Sequence, residues 1–159
     1  MKPILFLDMD GVIADLGSRA NMITIEECKG YDDPLFWECL PKLPWADALA
    51  RLCVNYFQVY ILTTPCGPAS IIGKHNWMKR HYPALSTRMI YTAHKHLLAA
   101  PLRILVDDDP GHCARFRESR GIAVEVPNPI RFPDRPQFPP EHILITLVAL
   151  AKGLTTKES

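Results

Sequence analysis

Two aspartates two apart, Asp8 and Asp10, directly follow a short apolar run in Phe6-Leu7-Asp8-Met9-Asp10-Gly11-Val12-Ile13-Ala14-Asp15. Ending a buried strand on two carboxylates is costly unless something uses them. Strand periodicity turns both toward the same side. Carboxylates this close repel, and want a cation or a shared proton. Gly11 permits the sharp turn that follows. A second acidic cluster, Asp107-Asp108-Asp109, also comes straight after an apolar run. Asp109 before Pro110 reads as a helix N-cap with proline at the first helical position. Asp107 and Asp108 are left without a local structural task. Thr63-Thr64-Pro65 ends a third apolar run, where a hydroxyl can bind a phosphate oxygen or simply begin a turn. Lys95, in Ala93-His94-Lys95-His96, can offset negative charge or be a solvated surface lysine.

Other uses of these residues fail on spacing. Counted from Asp8, a calcium loop needs glycine at its sixth position and glutamate at its twelfth. The chain has Ile13 and Arg19 there. Neither G-x-G-x-x-G nor G-x-x-x-x-G-K occurs, so no phosphate-cradling glycine loop is present. The five cysteines are an odd number with no C-x-x-C pair, and read as reduced thiols of a cytoplasmic protein. With six histidines a zinc site is conceivable, but no ligand spacing supports one. Lys plus Arg number 18 against 17 for Asp plus Glu, so no overall field recruits a nucleic-acid polymer or an anionic membrane. No apolar run approaches the roughly 20 residues that span a bilayer. The early one is cut by Asp8 and Asp10, unlike a signal peptide.

The elements that must position these groups alternate. Residues 3–7, 57–62, 88–91, 103–106 and 122–126 read as short strands. Residues 47–56, 70–82, 111–120 and 141–152 read as helices. Ser70 and Asp109 are their expected N-caps, and Gly121 and Gly153 expected terminators. The apolar face of 47–56 is expected to carry Leu49, Leu52, Cys53 and Tyr56. Strands alternating with helices predict a Rossmann-like α/β fold, a parallel sheet covered on both faces. Ligands then bind beyond the carboxyl ends of the strands, where the polar clusters fall. A length of 159 residues fits one core, and 48% hydrophobic with 22% charged residues is ordinary for a globular chain. The expected division is a core of residues 1–15 and 45–154, a small cap of 16–44 and a frayed tail of 155–159.

Asp8-x-Asp10-Gly11-Val12, Thr63, Lys95 and Asp107-Asp108 arrive in the chain order of the four motifs of the haloacid dehalogenase-like phosphohydrolases, which the sequence resembles. Residues 7–15 look like the opening of the 5'(3')-deoxyribonucleotidases. Thr63-Thr64-Pro65 corresponds to their Thr-Ser-Pro turn. Residues 74–83, with Trp77 and the closing Tyr82-Pro83, resemble the helix they carry next, and 141–144 their last helix. Two departures stand out: the insertion from Asp15 to Trp45, which would be the family's cap, is shorter than in the animal enzymes, and Ala93 replaces an arginine near the phosphate as Leu16 does an aromatic near the base.

The resemblance implies a magnesium-dependent phosphatase for (deoxy)nucleoside monophosphates. It implies Asp8 as nucleophile and Asp10 as general acid and base. Mg²⁺ would be held by the Asp8 carboxylate, the Asp10 backbone carbonyl and Asp107, with Asp108 orienting waters. Thr63, Thr64 and Lys95 would bind the phosphate. Phe36, Trp37 and Trp45, with Tyr31, are candidates to stack on a base or else to anchor the cap. The competing expectations are a phosphatase for another small phosphomonoester, such as a sugar phosphate, and a non-catalytic nucleotide-binding module.

Overall fold

The structure is a computed structural model that describes residues 2–17, 31–127 and 140–155. Five strands form one sheet in the order β3-β2-β1-β4-β5: β1 Ile4–Leu7, β2 Gln58–Thr63, β3 Met89–Tyr91, β4 Ile104–Asp107 and β5 Ile122–Glu125. Every pairing is parallel, with Leu7 opposite Ile61 on one side and Val106 on the other. All five strands match the predicted runs to within a residue or two at each end. Chain order reverses at β1, so the crevice beyond β1 and β4 is the natural ligand position.

Alternation along the strands splits the core in two. Leu5 and Leu7 of β1 face one side with Val59, Ile61, Ile104 and Val106. Phe6 faces the other with Leu62 and Leu105, against Phe116. Helix α1 is Pro34–Glu38, α2 Ala46–Tyr56, α3 Pro68–His81, α4 Pro83–Ser86, α5 Pro110–Glu118 and α6 Pro140–Thr155. Helices α2, α3 and α6 cover the first face, and α5 the second.

Local chemistry explains most boundaries. In α2 the buried stripe is Ala46, Leu49, Ala50 and Cys53, the helical spacing of one face. Leu52 is half-buried against the same cluster, while Tyr56 lies outside the stripe and is exposed. Helix α3 begins earlier than expected: Gly67, at φ +136°, is its cap and Pro68 its first residue. Ser70 instead accepts a hydrogen bond from the Cys66 amide and donates one to the Gly67 carbonyl. Asp109 does cap α5, accepting from the Gly111 and His112 amides. Arg120, not Gly121, takes the left-handed conformation after α5. A Cβ on Gly121 would meet the Phe116 ring. Helix α6 runs through Gly153, since Ile143, Leu147, Ala151 and Leu154 bury one continuous face.

The segment predicted as a cap is described only in part, and residues 18–30 lie outside the described residues. Its helix α1 packs on α3. Trp77 donates its indole N–H to the Leu40 carbonyl at 2.7 Å. Glu38 pairs with Arg80 and accepts from Asn76. Gly73 is the contact point, where an added Cβ would collide with the Pro34 carbonyl and the Trp37 Cβ. Alanine would gain about 0.8–1.0 kcal/mol in helix propensity, but overpacking costs about 1–3 kcal/mol. Because the collision is with backbone and a Cβ rather than a flexible tip, Gly73→Ala is expected to lower stability, by up to about 2 kcal/mol in urea denaturation. A more stable Gly73→Ala would show that α1 is not seated here.

Candidate active site

The carboxyl ends of three adjacent strands build the site. Asp8 follows β1, and its amide still donates to the Val106 carbonyl, which extends the ladder and sets it beside β4. Asp107 ends β4. Its Oδ1 accepts from the Asp109 amide at 2.9 Å, and its backbone carbonyl from the Val126 amide. After Asp8 the chain folds tightly. The Met9 carbonyl accepts from the amides of Val12, Ile13 and Ala14, and Gly11 at φ +75° makes the reversal. Thr63 ends β2 and is fully buried.

Lys95 sits at the start of a short 3-10 helix, Lys95–Leu98, and is 1% exposed. It is not a solvated lysine. Its Nζ lies 2.8 Å from Asp8 Oδ1 and 2.7 Å from Asp107 Oδ2. Those two carboxylates raise the Lys95 pKa against the opposing pull of burial. Asp107 is held below the usual carboxylate range despite its burial, by His112 and Lys95 and by the Asp109 amide. The His112 Nδ1 lies 3.3 Å from Asp107 Oδ2. Asp8 goes the other way. Burial, only partly offset by Lys95 and reinforced by Asp107, Asp10 and Asp108, pushes its pKa well up.

A residue absent from the sequence-based site completes it. Lys74 of α3 is fully buried. Its Nζ lies 2.5 Å from Asp10 Oδ2 and donates to Thr63 Oγ1 at 3.0 Å and to the Thr64 carbonyl at 2.6 Å. A signal was available. Lys74 falls one turn into a helix between Ser70 and Trp77, on the side that carries buried residues, where a lysine needs partners.

The candidate residues thus meet: Asp8 and Asp107 on Lys95, Asp10 and Thr63 on Lys74. Asp8, Asp107 and Asp108 bring carboxylate oxygens within 4.8 Å of one another. Four carboxylates face two ammonium groups, a formal excess of two negative charges. One Asp10 oxygen is buried without a hydrogen-bond partner among the described residues. A hard divalent cation fits both the donor set and the charge.

The remaining candidates are placed less usefully for a substrate. The Thr64 hydroxyl donates to the Thr92 carbonyl at 3.4 Å. Phe36 and Trp37 are 5% and 0% exposed, packed with Tyr31 in the core. That burial fits the anchoring alternative and offers a base no ring face. Trp45 donates its indole N–H to the Val12 carbonyl, tying the chain back onto the Asp10 loop. The free thiols Cys53 and Cys113 are pushed up to about 12, first by burial, and stay neutral. No helix among the described residues is long and apolar enough to cross a membrane.

A parallel sheet in this strand order, with acidic strand ends and buried lysines at one edge, has the haloacid dehalogenase-like fold. A HAD family enzyme of Bacteroides thetaiotaomicron has the same fold. That enzyme was solved as an aspartate-to-alanine variant in complex with magnesium and inorganic phosphate. The two superpose with a TM-score of 0.54 at 12% identity, over 80% of this chain and 95% of that one. More narrowly, the chain belongs to the family described as "5' nucleotidase, deoxy (Pyrimidine), cytosolic type C protein", whose model matches residues 29–137. That span holds Thr63, Lys74, Lys95, Asp107 and Asp108 but begins after Asp8 and Asp10. A protein of Vibrio phage KVP40 named "Putative 5'(3')-deoxyribonucleotidase" is 29% identical over 104 residues. The match covers 60% of this chain and 61% of that relative.

Proposed function

We propose that the chain is a magnesium-dependent phosphatase that hydrolyses (deoxy)nucleoside monophosphates through an aspartyl-phosphate on Asp8. The observation that carries this reading is the buried Asp8 carboxylate, 2.8 Å from Lys95 and grouped with Asp107 and Asp108. Binding alone needs no buried nucleophile, so a non-catalytic module is disfavoured.

Mg²⁺ held by Asp8, the Asp10 carbonyl and Asp107, with Asp108 on its waters, would offset the repulsion between these carboxylates and a phosphate dianion. Asp8 attacks phosphorus; an oxygen–phosphorus bond forms as the ester bond breaks. Asp10 gives its proton to the departing alkoxide, then takes one from the water that hydrolyses the intermediate. Thr63 is set to donate: its oxygen already accepts from Lys74, which turns its own hydrogen elsewhere. Lys95 has three N–H bonds and two carboxylate partners, leaving one for a phosphate oxygen. Both would stabilise charge developing on the transferring group.

The family description and the phage relative's name support a nucleotide leaving group. The buried Phe36 and Trp37 favour a second reading, a phosphatase for another small phosphomonoester such as a sugar phosphate. The test measures phosphate release from deoxy- and ribonucleoside monophosphates and from sugar phosphates, with Mg²⁺ and with chelator. We expect release only with Mg²⁺ and higher kcat/KM on nucleotides, with a modest deoxy preference, because a pocket rejects an added hydroxyl only weakly. Equal efficiency on all classes would remove the nucleotidase reading. Release in chelator would remove the magnesium requirement.

A further inference from the structure

We propose that Trp37 is a positioning residue, whose ring holds the Lys74 ammonium against Asp10, Thr63 and Thr64. The Lys74 Nζ lies 4.8 Å from the centroid of the Trp37 ring. An ammonium has three N–H donors. Those of Lys74 have three acceptors: Asp10 Oδ2, Thr63 Oγ1 and the Thr64 carbonyl. With all three donors taken, the ring is a further neighbour that closes off the ammonium, and both side chains are fully buried.

The ring is itself fixed. Its indole N–H donates to the Tyr31 carbonyl at 3.0 Å, and its edge meets Phe36 at an interplanar angle of 80°. Gly73, the residue before Lys74, lets α1 approach until the Trp37 Cβ occupies the space a side chain would need. Glycine, lysine and tryptophan therefore work as a unit. The close approach of α1 brings a π face over the cation, and that face replaces the water that would otherwise compete for its donors.

The consequence for turnover rests on the phosphatase reading. Lys74 has no donor left for a phosphate oxygen. Its work is to fix the Asp10 carboxylate and to turn the Thr63 hydroxyl toward the phosphate. Removing the ring then loosens both groups for every substrate, with or without a base. A base-stacking Trp37 would affect nucleotides alone.

The experiment compares wild type, Trp37→Phe and the ring-free Trp37→Leu on p-nitrophenyl phosphate and on a deoxynucleoside monophosphate. Crystal structures of both variants accompany the kinetics. Trp37→Leu is expected to lower kcat about tenfold by the same factor on both substrates, with KM moving less than about twofold. Trp37→Phe, which keeps a ring face, should lose at most about threefold. Loss on the nucleotide alone, through KM, would overturn the proposal, as would full kcat in Trp37→Leu. In the structures, Trp37→Phe should keep Lys74 Nζ on Asp10 Oδ2 and Trp37→Leu should release it. Lys74 unmoved in Trp37→Leu would also overturn the proposal. If leucine prevents folding, Trp37→Met, whose flexible chain refills irregular space, serves as the ring-free variant. A wild type that cleaves neither substrate would remove the phosphatase reading, while the position of Lys74 in the variants still decides the role of Trp37.

Discussion

Asp8→Asn is expected to lose phosphomonoester turnover by on the order of 10⁴-fold or more, while its melting temperature stays within a few degrees of wild type. An amide is a far poorer nucleophile than a carboxylate, and a poorer ligand for a hard cation. Stability should be spared, because Asp8 is under strain as an anion. Burial raises its pKa first of all, and the carboxylates of Asp107, Asp10 and Asp108 add to this. The neutral isostere removes that repulsion and sacrifices one contact with Lys95. Thermal denaturation alongside phosphate release checks both halves. Near wild-type turnover in folded Asp8→Asn would end the case for covalent catalysis there.

Lys95→Met is expected to be the most destabilising of the site substitutions, by about 3–5 kcal/mol without added metal. It leaves Asp8 and Asp107 buried without the ammonium that lies within 2.8 Å of both. A domain is stable by only about 5–15 kcal/mol, so the variant should be near its folding limit. The penalty should shrink in millimolar Mg²⁺, which can take over the compensation. An equal loss with and without the ion would argue that the carboxylates do not share a cation.

The signs of the pKa shifts set the pH window for this measurement. Lys95 is raised above 10.5, so its contribution is complete below that value and is lost only as pH climbs past its folded pKa. Asp107 is lowered from 3.8, so its contribution is complete above that value and is lost in stronger acid. Between about pH 5 and 9 both are therefore constant. Asp8 is raised, so its favourable protonated state is fully present below 3.8 and is lost as pH rises through its folded pKa. Because metal binding needs the carboxylate deprotonated, stabilisation of the wild type by Mg²⁺ should grow as pH rises through the folded pKa of Asp8.

Much of this site is legible from residue type and chain position. Asp8 and Asp107 each end an apolar strand, and in a parallel sheet all such ends face one way. Five short runs interrupted by helices therefore suffice to bring them together. Lys95 is harder, because His94-Lys95-His96 looks like a solvated basic patch, and only the motif order speaks for it. Lys74 escaped, since a lysine inside a helix reads as surface until its face is known. Its face is set by Gly73 and Trp77, which dock α3 against a segment far away in sequence. Phe36 and Trp37 illustrate the reverse. Aromatic residues in a short insertion offer either burial or stacking, and only packing decides between them. Gly153 failed as a helix stop because Leu154, buried beyond it, outweighs the propensity cost of about 1 kcal/mol.

The most direct test of the central claim is chemical trapping on Asp8. Enzyme mixed with Mg²⁺ and a deoxynucleoside monophosphate carrying labelled phosphate is quenched in acid within the first turnover, and the label is mapped by peptide mass spectrometry. A phosphoryl group is expected on the peptide bearing Asp8, released by mild alkali, and absent from Asp8→Asn. Rapid turnover with no label on the protein at any quench time, or a label that persists unchanged in Asp8→Asn, would contradict it.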